Sequence, residues 1–357
     1  MKAQFYNVYI RAIAACSGKT LHNVAKTCQS FLDEKHAKRL VKTLGFENVR
    51  EVPLTMTTSD MCVEIAKDVI TKCNIDKDSI DALIFVTQTN DSVAPASVFV
   101  MQDKLGLSPN CYLNNITNGC AGSVHGIFEG SCLINAGVAN RVLVCFGDTY
   151  CKVKDIDDSD QKANAALFGD GAGVVLLENQ ENCAPIYFNV QAHGNLHSVI
   201  HDTKHSDRVE RLKKAVALGL VDKTALLPYQ TKGIQIEGTA IASYAIDNVI
   251  PNVNELLSLA NLSKDDVALF LLHQANKTIL KAVALSMDVP QEKIPFVAQN
   301  TGNTSSASLA LAICESQQVT DRLKDGLTVL SAFGVGMNVA SMLCDLSKTT
   351  VLEAKYF

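Results

Sequence analysis

The chain has no tryptophan, no low-complexity tract, no Cys-x-x-Cys pair and no cluster of basic residues. Its 37 acidic and 32 basic side chains give a net charge of −5. Because a nucleic-acid surface needs clustered lysine and arginine, we expect no nucleic-acid partner. The 12 cysteines are scattered through 357 residues of which 47% are hydrophobic. A chain of this length can build its own core, so we expect reduced thiols in a cytoplasmic protein.

Long apolar runs are also missing. No segment approaches the ~20 apolar residues of a membrane span. The first 16 residues lack the apolar core of roughly 7–15 residues that a signal peptide needs. We therefore predict a protein without a membrane span, and nothing in the sequence predicts a metal or a bound cofactor.

An internal repeat organises the chain. Three segments of the first half have counterparts in the second half, in the same order: 80–90 with 266–276, 118–127 with 303–312, and 142–148 with 328–334. The offset is 186 from Gln88 to Gln274 and 185 from Asn118 to Asn303. A nearly constant offset indicates a duplicated unit rather than chance similarity between small-residue helices.

Apolar strand-like segments alternate with helices in each half. In the first half we predict strands and helices in the order helix 64–73, strand 82–86, helix 97–106, strand 111–115, the helix that begins at Cys120, and strand 141–147. In the second half, a helix over 242–260 contains Pro251 and should kink or break there. The alternation predicts an α/β protein with mixed sheets covered on both faces, divided into halves 1–180 and 181–357.

Two further segments have more than one interpretation. The polar, acidic segment 151–165 has no counterpart in the second half. We expect a surface loop there, which either forms a rim or a subunit contact or is simply solvated.

Four histidines recur at every fourth position: His193, His197, His201 and His205. On a helix they would line one face and could bind a metal. Gly194 and Asn195 disfavour that helix, so we expect solvated or tunnel-lining histidines.

Cys120 stands between a turn-forming Asn-Gly pair and a helix-like run of small and apolar residues. In the first turn of a buried helix, free N–H groups and the helix dipole would stabilise a thiolate, the form that attacks thioesters. A free cysteine can equally be buried and inert. The repeat favours the first interpretation, because it pairs the Cys120 helix with the helix after Asn303 and places His273 at a neighbouring strand end. His125 lies farther along the same helix, and we expect it to be a packing residue.

Five segments resemble those of the β-ketoacyl-acyl-carrier-protein synthase III family of the thiolase superfamily: NGCAGSVHGI, FGDGAGVVLLE, LHQANKTIL, NTGNTSSASLALA and AFGVGMNVAS. The similarity runs in order from about residue 45 to about residue 346. It implies a thiolase-like five-layered αβαβα fold, a homodimer, and Cys120, His273 and Asn303 as a catalytic triad. It also implies an oxyanion hole made by the backbone N–H groups of Cys120 and Val335.

The resemblance implies a reaction. Cys120 would accept an acyl group from coenzyme A or from the phosphopantetheine of an acyl carrier protein. A malonyl-type thioester would then lose CO2 to give an enolate, stabilised by His273 and Asn303, whose attack yields a 3-oxoacyl thioester. By the same resemblance, the substrate-binding residues would be Ala94, Asn276, Lys277, Thr278, Phe333, Gly334 and Gly336.

The sequence departs from the family pattern at positions that concern the substrates. Thr278 stands where well-studied members have an arginine that contacts the carrier, and Lys277 could replace only its charge. Ala94 stands where some members have a phenylalanine that limits the partner subunit's acyl pocket, so we expect room for a longer or bulkier acyl group. Asn115 replaces a usual acidic residue, and the absence of tryptophan removes a nucleotide-stacking residue of some members.

Two other functions remain open at this point. In the first, the same fold moves the acyl group from Cys120 to an oxygen or nitrogen nucleophile, with His273 as base and no decarboxylation. Asn303 favours decarboxylation, because it supports the enolate. In the second, the chain is a non-catalytic subunit of a heterodimeric synthase, although a scaffold has no need for cysteine, histidine and asparagine together.

Overall fold

A computed structural model describes residues 1–153, 159–202, 206–229 and 234–357. The strands are β1 (Lys2–Phe5), β2 (Val8–Ser17), β3 (Thr20–Asn23), β4 (Asn48–Glu51), β5 (Ala82–Val86), β6 (Tyr112–Ile116), β7 (Arg141–Asp148), β8 (Gly171–Asn179), β9 (Ile186–Ala192), β10 (Ile200–Asp202), β11 (Ile234–Ile236), β12 (Val267–Leu272), β13 (Leu327–Gly334), β14 (Asn338–Asp345), β15 (Thr350–Val351) and β16 (Lys355–Tyr356). The α-helices are α1 (Val24–Gln29), α2 (Glu34–Leu44), α3 (Thr58–Lys72), α4 (Ser97–Leu105), α5 (Gly122–Asn135), α6 (Ser159–Leu167), α7 (Asp207–Ala217), α8 (Gly238–Tyr244), α9 (Ile250–Ala260), α10 (Lys277–Met287), α11 (Ser308–Glu315) and α12 (Gln317–Arg322).

Two large sheets share a core of four strands with the same order and directions. The first sheet has the order β15-β2-β8-β7-β5-β6, and the second has the order β1-β9-β14-β13-β12. In the first sheet β2, β8 and β7 pair antiparallel, and β7 pairs parallel with β5. In the second sheet β9, β14 and β13 pair antiparallel, and β13 pairs parallel with β12. The duplication predicted from the sequence is confirmed in the order and direction of the strands.

Helices α5 and α11 lie between the two sheets. Ile127 of α5 and Leu311 of α11 share one apolar core with Val86 of β5 and Leu271 of β12. On the outer faces, α3 and α4 cover the first sheet, and α9 and α10 cover the second. The five-layered αβαβα arrangement is therefore confirmed. Strands buried on both faces explain the continuous apolar runs in the sequence, such as Ala82–Val86, which is buried throughout.

The terminal strands of the chain each pair in the sheet of the opposite half. The predicted boundary at residue 180 falls between β8 and β9. Nevertheless, β1 pairs with β9 in the second sheet, while β15 and β16 pair with β2 in the first. The first half therefore contributes β1 to the second sheet, and the second half contributes β15 and β16 to the first sheet. These pairings connect the halves at both chain ends.

Two predicted elements have a different form in the structure. The predicted helix 242–260 is α8 followed by a π-helical turn at Ala245–Val249 and then α9, with Pro251 at the start of α9. The helix is not broken at Pro251, because Ala245 and Ile250, at the two ends of the π-helical turn, keep helical dihedral angles. The irregularity is the π-helical turn itself, just before the proline, which has no N–H to continue the regular ladder. The predicted loop over 151–165 is wrong from Ser159 onward, where α6 begins; residues 154–158 lie outside the described chain. Across the described ranges, no helix is both long enough and apolar enough for a bilayer.

Candidate active site

The two central helices bring their N-terminal ends to one place. Cys120 precedes Ala121, the N-cap residue of α5, so it lies just before the first helical turn and not inside it as predicted. Gly122 lets α5 approach the first sheet, since a Cβ there would lie 2.5 Å from Cγ1 of Val86. On the other side, Asn303 precedes α11, the repeat partner of α5. The duplicated fold thus brings Cys120 and Asn303 together at the N-terminal ends of paired helices, although the repeat offset pairs Asn303 with Asn118.

A cavity of about 1360 Å³ opens at this point. Cys120, His273 and Asn303 all line it, together with Phe333 and Gly334. His273 directly follows β12, so three separate segments supply the three side chains predicted as a triad. Other lining residues are Val335, Asn276 and Thr278 among those predicted, and Gln88, Thr89, Thr149, Tyr150, Phe168 and Ser305 among those not predicted.

Cys120 is packed closely on the glycine loop that follows β13. A Cβ at Gly334 would lie 3.0 Å from the Cys120 Sγ, so the backbone passes the thiol at a distance that only glycine permits. The Ser305 hydroxyl donates to Sγ at 3.9 Å. Burial raises the pKa of the Cys120 thiol to about 12. In the resting protein, burial therefore opposes the expected stabilisation of a thiolate, because the charged form loses its solvation.

His273 is a buried, neutral imidazole. Its Nδ1 lies 2.7 Å from the Ser308 Oγ, and its ring meets the edge of Phe333 at a centroid distance of 5.7 Å. Burial lowers the pKa of His273 to about 3. When the Ser308 hydroxyl donates to Nδ1, the remaining proton sits on Nε2. His273 can then donate a hydrogen bond without carrying a charge.

Asn303 offers its amide N–H groups. Its Oδ1 accepts the backbone N–H of Ser305 at 2.9 Å, and its own backbone N–H donates to the Leu167 carbonyl. With the carbonyl oxygen engaged, the NH2 group is the donor left for a ligand. Gly302, with φ at +71°, makes the preceding turn, where a Cβ would lie 2.6 Å from Val49 Cγ1.

A second asparagine holds the loops around Cys120 together. Asn338 donates to the Val335 carbonyl and, at 3.4 Å, to the Asn118 side chain. Its Oδ1 lies 3.3 Å from Nε2 of His125. Val335 is one predicted oxyanion donor and Asn118 lies two residues before the other, Cys120, so Asn338 links the two loops that carry the donors. His125 is not among the cavity-lining residues, in agreement with its predicted packing role.

Of the remaining predicted substrate-binding residues, two line the cavity and three do not. Asn276 caps α10 by accepting the Ile279 N–H at 2.9 Å, and the Thr278 hydroxyl donates to the Thr43 carbonyl at 2.9 Å. Both face the cavity. Lys277 is exposed beside the cavity, not in its lining. Ala94 and Gly336 also lie outside the lining of this one chain, and Gly336 shapes the loop after β13 with φ at +127°.

The histidine series does not form one helical face. His193 bonds the Tyr244 hydroxyl at 2.7 Å, and His197 ends a short 3-10 turn. His201 lies on β10 and lines the cavity, which matches the tunnel-lining interpretation for that residue, and His205 lies outside the described chain. Among described residues, no three histidine, cysteine, aspartate or glutamate side chains are grouped as a metal site.

Sequence reasoning missed the polar residues behind Cys120. The Tyr150 hydroxyl donates to Gln88 Oε1 at 2.7 Å, and Asp148 at the end of β7 accepts the Gln88 backbone N–H at 2.8 Å. Gln88 was visible only as the repeat partner of Gln274. Asp148 ends the apolar segment matched in the repeat, and a charged residue closing a buried strand is the signal that could have pointed to it.

The duplicated five-layered fold, with a cysteine before one central helix, defines a thiolase-like condensing enzyme. Two family models match the chain: 3-oxoacyl-[acyl-carrier-protein (ACP)] synthase III over residues 115–194 and its C-terminal counterpart over residues 257–346. The β-ketoacyl-[acyl-carrier-protein] synthase III of Lactococcus lactis subsp. lactis (strain IL1403) is 31% identical over 85% of this chain and 88% of the relative. The synthase III of Clostridium perfringens (strain 13 / Type A) is 29% identical over 89% of this chain and 93% of the relative.

Solved structures agree with this assignment. The crystal structure of a 3-oxoacyl-(acyl-carrier protein) synthase from Burkholderia xenovorans LB400 matches with a TM-score of 0.88 and 27% identity, over 100% of this chain and 99% of the other. The priming β-ketosynthase of the R1128 polyketide pathway shares the fold, with a TM-score of 0.79 and 21% identity over 95% and 96% of the two chains. The chain belongs to the β-ketoacyl-acyl-carrier-protein synthase III family.

Proposed function

We propose that this protein joins an acyl group, held as a thioester on Cys120, to a malonyl-type thioester with loss of CO2, giving a 3-oxoacyl thioester. The observation that carries the proposal is the convergence of Cys120, His273 and Asn303 on one cavity. A buried thiol beside a neutral imidazole and an amide N–H donor is suited to this chemistry, because one group carries the acyl chain and two stabilise an enolate.

In the first half-reaction, the Cys120 sulfur attacks the acyl thioester carbonyl. The S–C bond forms, the thioester C–S bond breaks, and the carrier leaves as a thiol once it has taken up the proton that Cys120 lost. The backbone N–H groups of Cys120 and Val335 are proposed to hold the oxyanion, an arrangement supported by the close packing of the glycine loop on Sγ. Each such donor lowers the barrier by roughly 3–4 kcal/mol in comparable sites.

In the second half-reaction, the malonyl thioester loses CO2 and its thioester oxygen gains charge. His273 Nε2–H and the Asn303 amide are proposed to donate to that oxygen. The enolate carbon then attacks the acyl carbonyl on Cys120, and the thiolate of Cys120 leaves. With a pKa of about 3, His273 is too weak a base to activate an oxygen or nitrogen nucleophile near neutral pH. This supports condensation over plain acyl transfer.

The carriers are proposed to be coenzyme A and an acyl carrier protein, whose phosphopantetheine would enter past Asn276 and Thr278. Both residues line the cavity, whereas Lys277 is exposed beside it. A point charge at that place can attract a phosphate without the two-pronged geometry of arginine. No cofactor has a role in these steps, because the thioesters supply the reactive groups themselves.

One experiment separates the two half-reactions. The protein is mixed with a panel of acyl-CoA and acyl-carrier thioesters, and intact mass records the acyl group on Cys120. Malonyl-carrier is then added, and CO2 and 3-oxoacyl product are measured. We expect a mass shift followed by about one CO2 per acyl group consumed. Acylation without CO2 release would contradict condensation, and no acylation at all would contradict the nucleophile.

We further propose a homodimer. Strand β6 is the edge of the first sheet and is partly exposed along its length. Phe99 on the adjacent α4 and Tyr112 on β6 are 55% and 51% exposed. An uncovered edge strand with large apolar neighbours invites pairing with a second chain. In a dimer formed through this edge, Ala94 of one subunit would lie near the interface and could limit the partner's acyl pocket.

A charge at this edge should separate the subunits. In sedimentation velocity at micromolar concentration, Tyr112→Lys should shift the protein from dimer to monomer, since burying an unpaired ammonium in an apolar interface is strongly unfavourable. Leu285→Lys is the matched control, because Leu285 is 82% exposed on α10 and away from β6. A wild-type protein that sediments as a monomer would refute the dimer, as would a Tyr112→Lys variant that stays dimeric.

A further inference from the structure

Asp148 is a fully buried carboxylate behind the nucleophile. Its Oδ1 accepts three hydrogen bonds, from the Gln88 N–H at 2.8 Å and from the Thr87 and Thr89 hydroxyls at 3.2 and 3.3 Å. Its Oδ2 accepts none from the residues that the structure describes. A buried oxygen without a donor is unfavourable. The three bonds to Oδ1 explain how Asp148 holds the turn after β5, but they do not explain the open Oδ2.

Ser305 interacts with both this carboxylate and the thiol. Its hydroxyl donates to Cys120 Sγ at 3.9 Å and interacts favourably with the charged form of Asp148. Its φ of +52° is in the left-handed region, which a residue other than glycine adopts only when its surroundings hold it there. The bond from the Ser305 N–H to Asn303 Oδ1 at 2.9 Å supplies that restraint. The strained turn holds the Ser305 hydroxyl against Cys120 Sγ and close enough to Asp148 to stabilise its charged form.

We propose that Asp148 receives the proton of the Cys120 thiol through the Ser305 hydroxyl during acylation. In the resting structure the Ser305 hydroxyl donates to Sγ and Asp148 Oδ2 accepts no bond from described residues, so the hydroxyl first turns from Sγ to Oδ2. The Sγ proton then moves to Ser305 Oγ while the Ser305 proton moves to Asp148 Oδ2, as Sγ bonds to the acyl carbon. When the tetrahedral intermediate collapses, the thioester C–S bond breaks and the leaving thiolate takes up the proton, which regenerates the Asp148 carboxylate. Asp148 is a positioning residue in this scheme, since it acts through Ser305. The inference rests on the proposed acylation of Cys120.

The charges around Asp148 are consistent with this role. Burial raises the pKa of Asp148 to about 6, so the carboxylate is ionised at neutral pH and is more basic than an exposed aspartate. The titratable groups that its charge acts on are Cys120, Tyr150 and, on α3, Cys62, and it raises the pKa of each. Transfer from a thiol with a pKa of about 12 is uphill, so it must accompany formation of the S–C bond.

The negative charge of Asp148 allows two roles to be distinguished. The reaction rate of Cys120 in Asp148→Asn should change in opposite directions if Asp148 accepts the proton and if it only lies near the thiol. If Asp148 only repels a thiolate, Asp148→Asn removes the repulsion and Cys120 should react faster. If Asp148 accepts the proton, the same variant should react more slowly. The sign of one rate change therefore distinguishes them.

The test is the pH dependence of iodoacetamide alkylation at Cys120, measured by mass spectrometry of the modified peptide from pH 5 to 9. The wild-type rate should rise through about pH 6, following ionisation of Asp148. In Asp148→Asn that rise should disappear, and the rate at pH 7.5 should fall about 100-fold. Ser305→Ala should show the same loss, and the double variant should lose no more than either alone. An Asp148→Asn rate equal to or above wild type overturns the inference.

Asp170→Asn is the matched control. Asp170 is also a fully buried aspartate, but its two oxygens accept the N–H groups of Cys151 and Val52 at 2.8 and 3.2 Å. Its replacement should leave the rise near pH 6 in place. If Asp148→Asn does not fold, as judged by circular dichroism, Ser305→Ala alone decides the question. Acyl-CoA is tested in parallel: a wild-type protein that never acylates Cys120 refutes the proposed function, whereas wild-type acylation with an unchanged variant profile refutes only the role of Asp148.

Discussion

Replacing Cys120 by alanine should lower condensation by at least ~10⁴-fold and remove the acyl-enzyme altogether. Loss of a covalent nucleophile typically has an effect of this size, because the acyl chain is no longer held beside the enolate. The change removes one sulfur atom from the cavity wall and adds no bulk, so the fold should persist. Intact mass after acyl-CoA treatment and product formation with malonyl-carrier provide the two measurements.

Cys132→Ser is the matched control for this variant. Cys132 lies on the same helix, α5, is only partly buried and is not part of the cavity lining. It should acylate and condense at rates close to wild type. Condensation that survives Cys120→Ala, or that is lost equally in Cys132→Ser, would show that Cys120 does not carry the acyl group.

The fold could be predicted well where burial is complete on both faces. The strand predicted at 82–86 has the bounds that the structure gives β5, and the predicted strand at 111–115 corresponds to β6 with a shift of one residue. β5 is apolar throughout, so its sequence signal is strong. β6 is a partly exposed edge strand that contains two asparagines, and its bounds were predicted less accurately. The exchange of terminal strands was not predictable, since β15 and β16 are two-residue strands with no periodicity of their own.

The candidate site was predictable where short motifs recur in the repeat. Cys120, His273 and Asn303 stand beside glycine, asparagine or glutamine clusters that mark strand ends and turns. The ionisation of Cys120 was not predictable, because a helix end is visible in a sequence but the depth of burial is not. Ser305 was missed for a related reason. Its contact with Cys120 depends on a positive φ, which a serine in a sequence does not indicate.

The histidine series shows how spacing misleads without a helix. A four-residue period has meaning only if the backbone is helical. Here the segment contains a 3-10 turn at Gly194–Leu196 and a short strand at Ile200–Asp202. His193 therefore faces Tyr244, while His201 faces the cavity. Gly194 correctly indicated in the sequence that this segment is not an α-helix.

Replacing His273 should also have a large effect, and this effect should be confined to the decarboxylation half-reaction. His273→Ala should leave acylation of Cys120 within a few-fold of wild type and lower CO2 release from the malonyl thioester by roughly 10²–10³-fold, the usual effect of losing one donor to a developing oxyanion. The imidazole acts as a neutral donor, so wild-type CO2 release should show no inflection from His273 between pH 5 and 8. Its folded-state pKa is lowered to about 3, and the neutral form is lost only as the pH falls toward that value.

His193→Ala is the control, since His193 bonds Tyr244 and does not line the cavity; it should release CO2 at the wild-type rate. Ser308→Ala should reduce CO2 release less than His273→Ala does, because it removes the bond at Nδ1 that keeps the proton on Nε2. Stopped-flow measurement of acyl-enzyme formation and radiometric measurement of CO2 separate the two steps. Equal losses in both half-reactions, or a CO2 rate that follows a group titrating near pH 6.5, would contradict a neutral donor that acts only on the enolate.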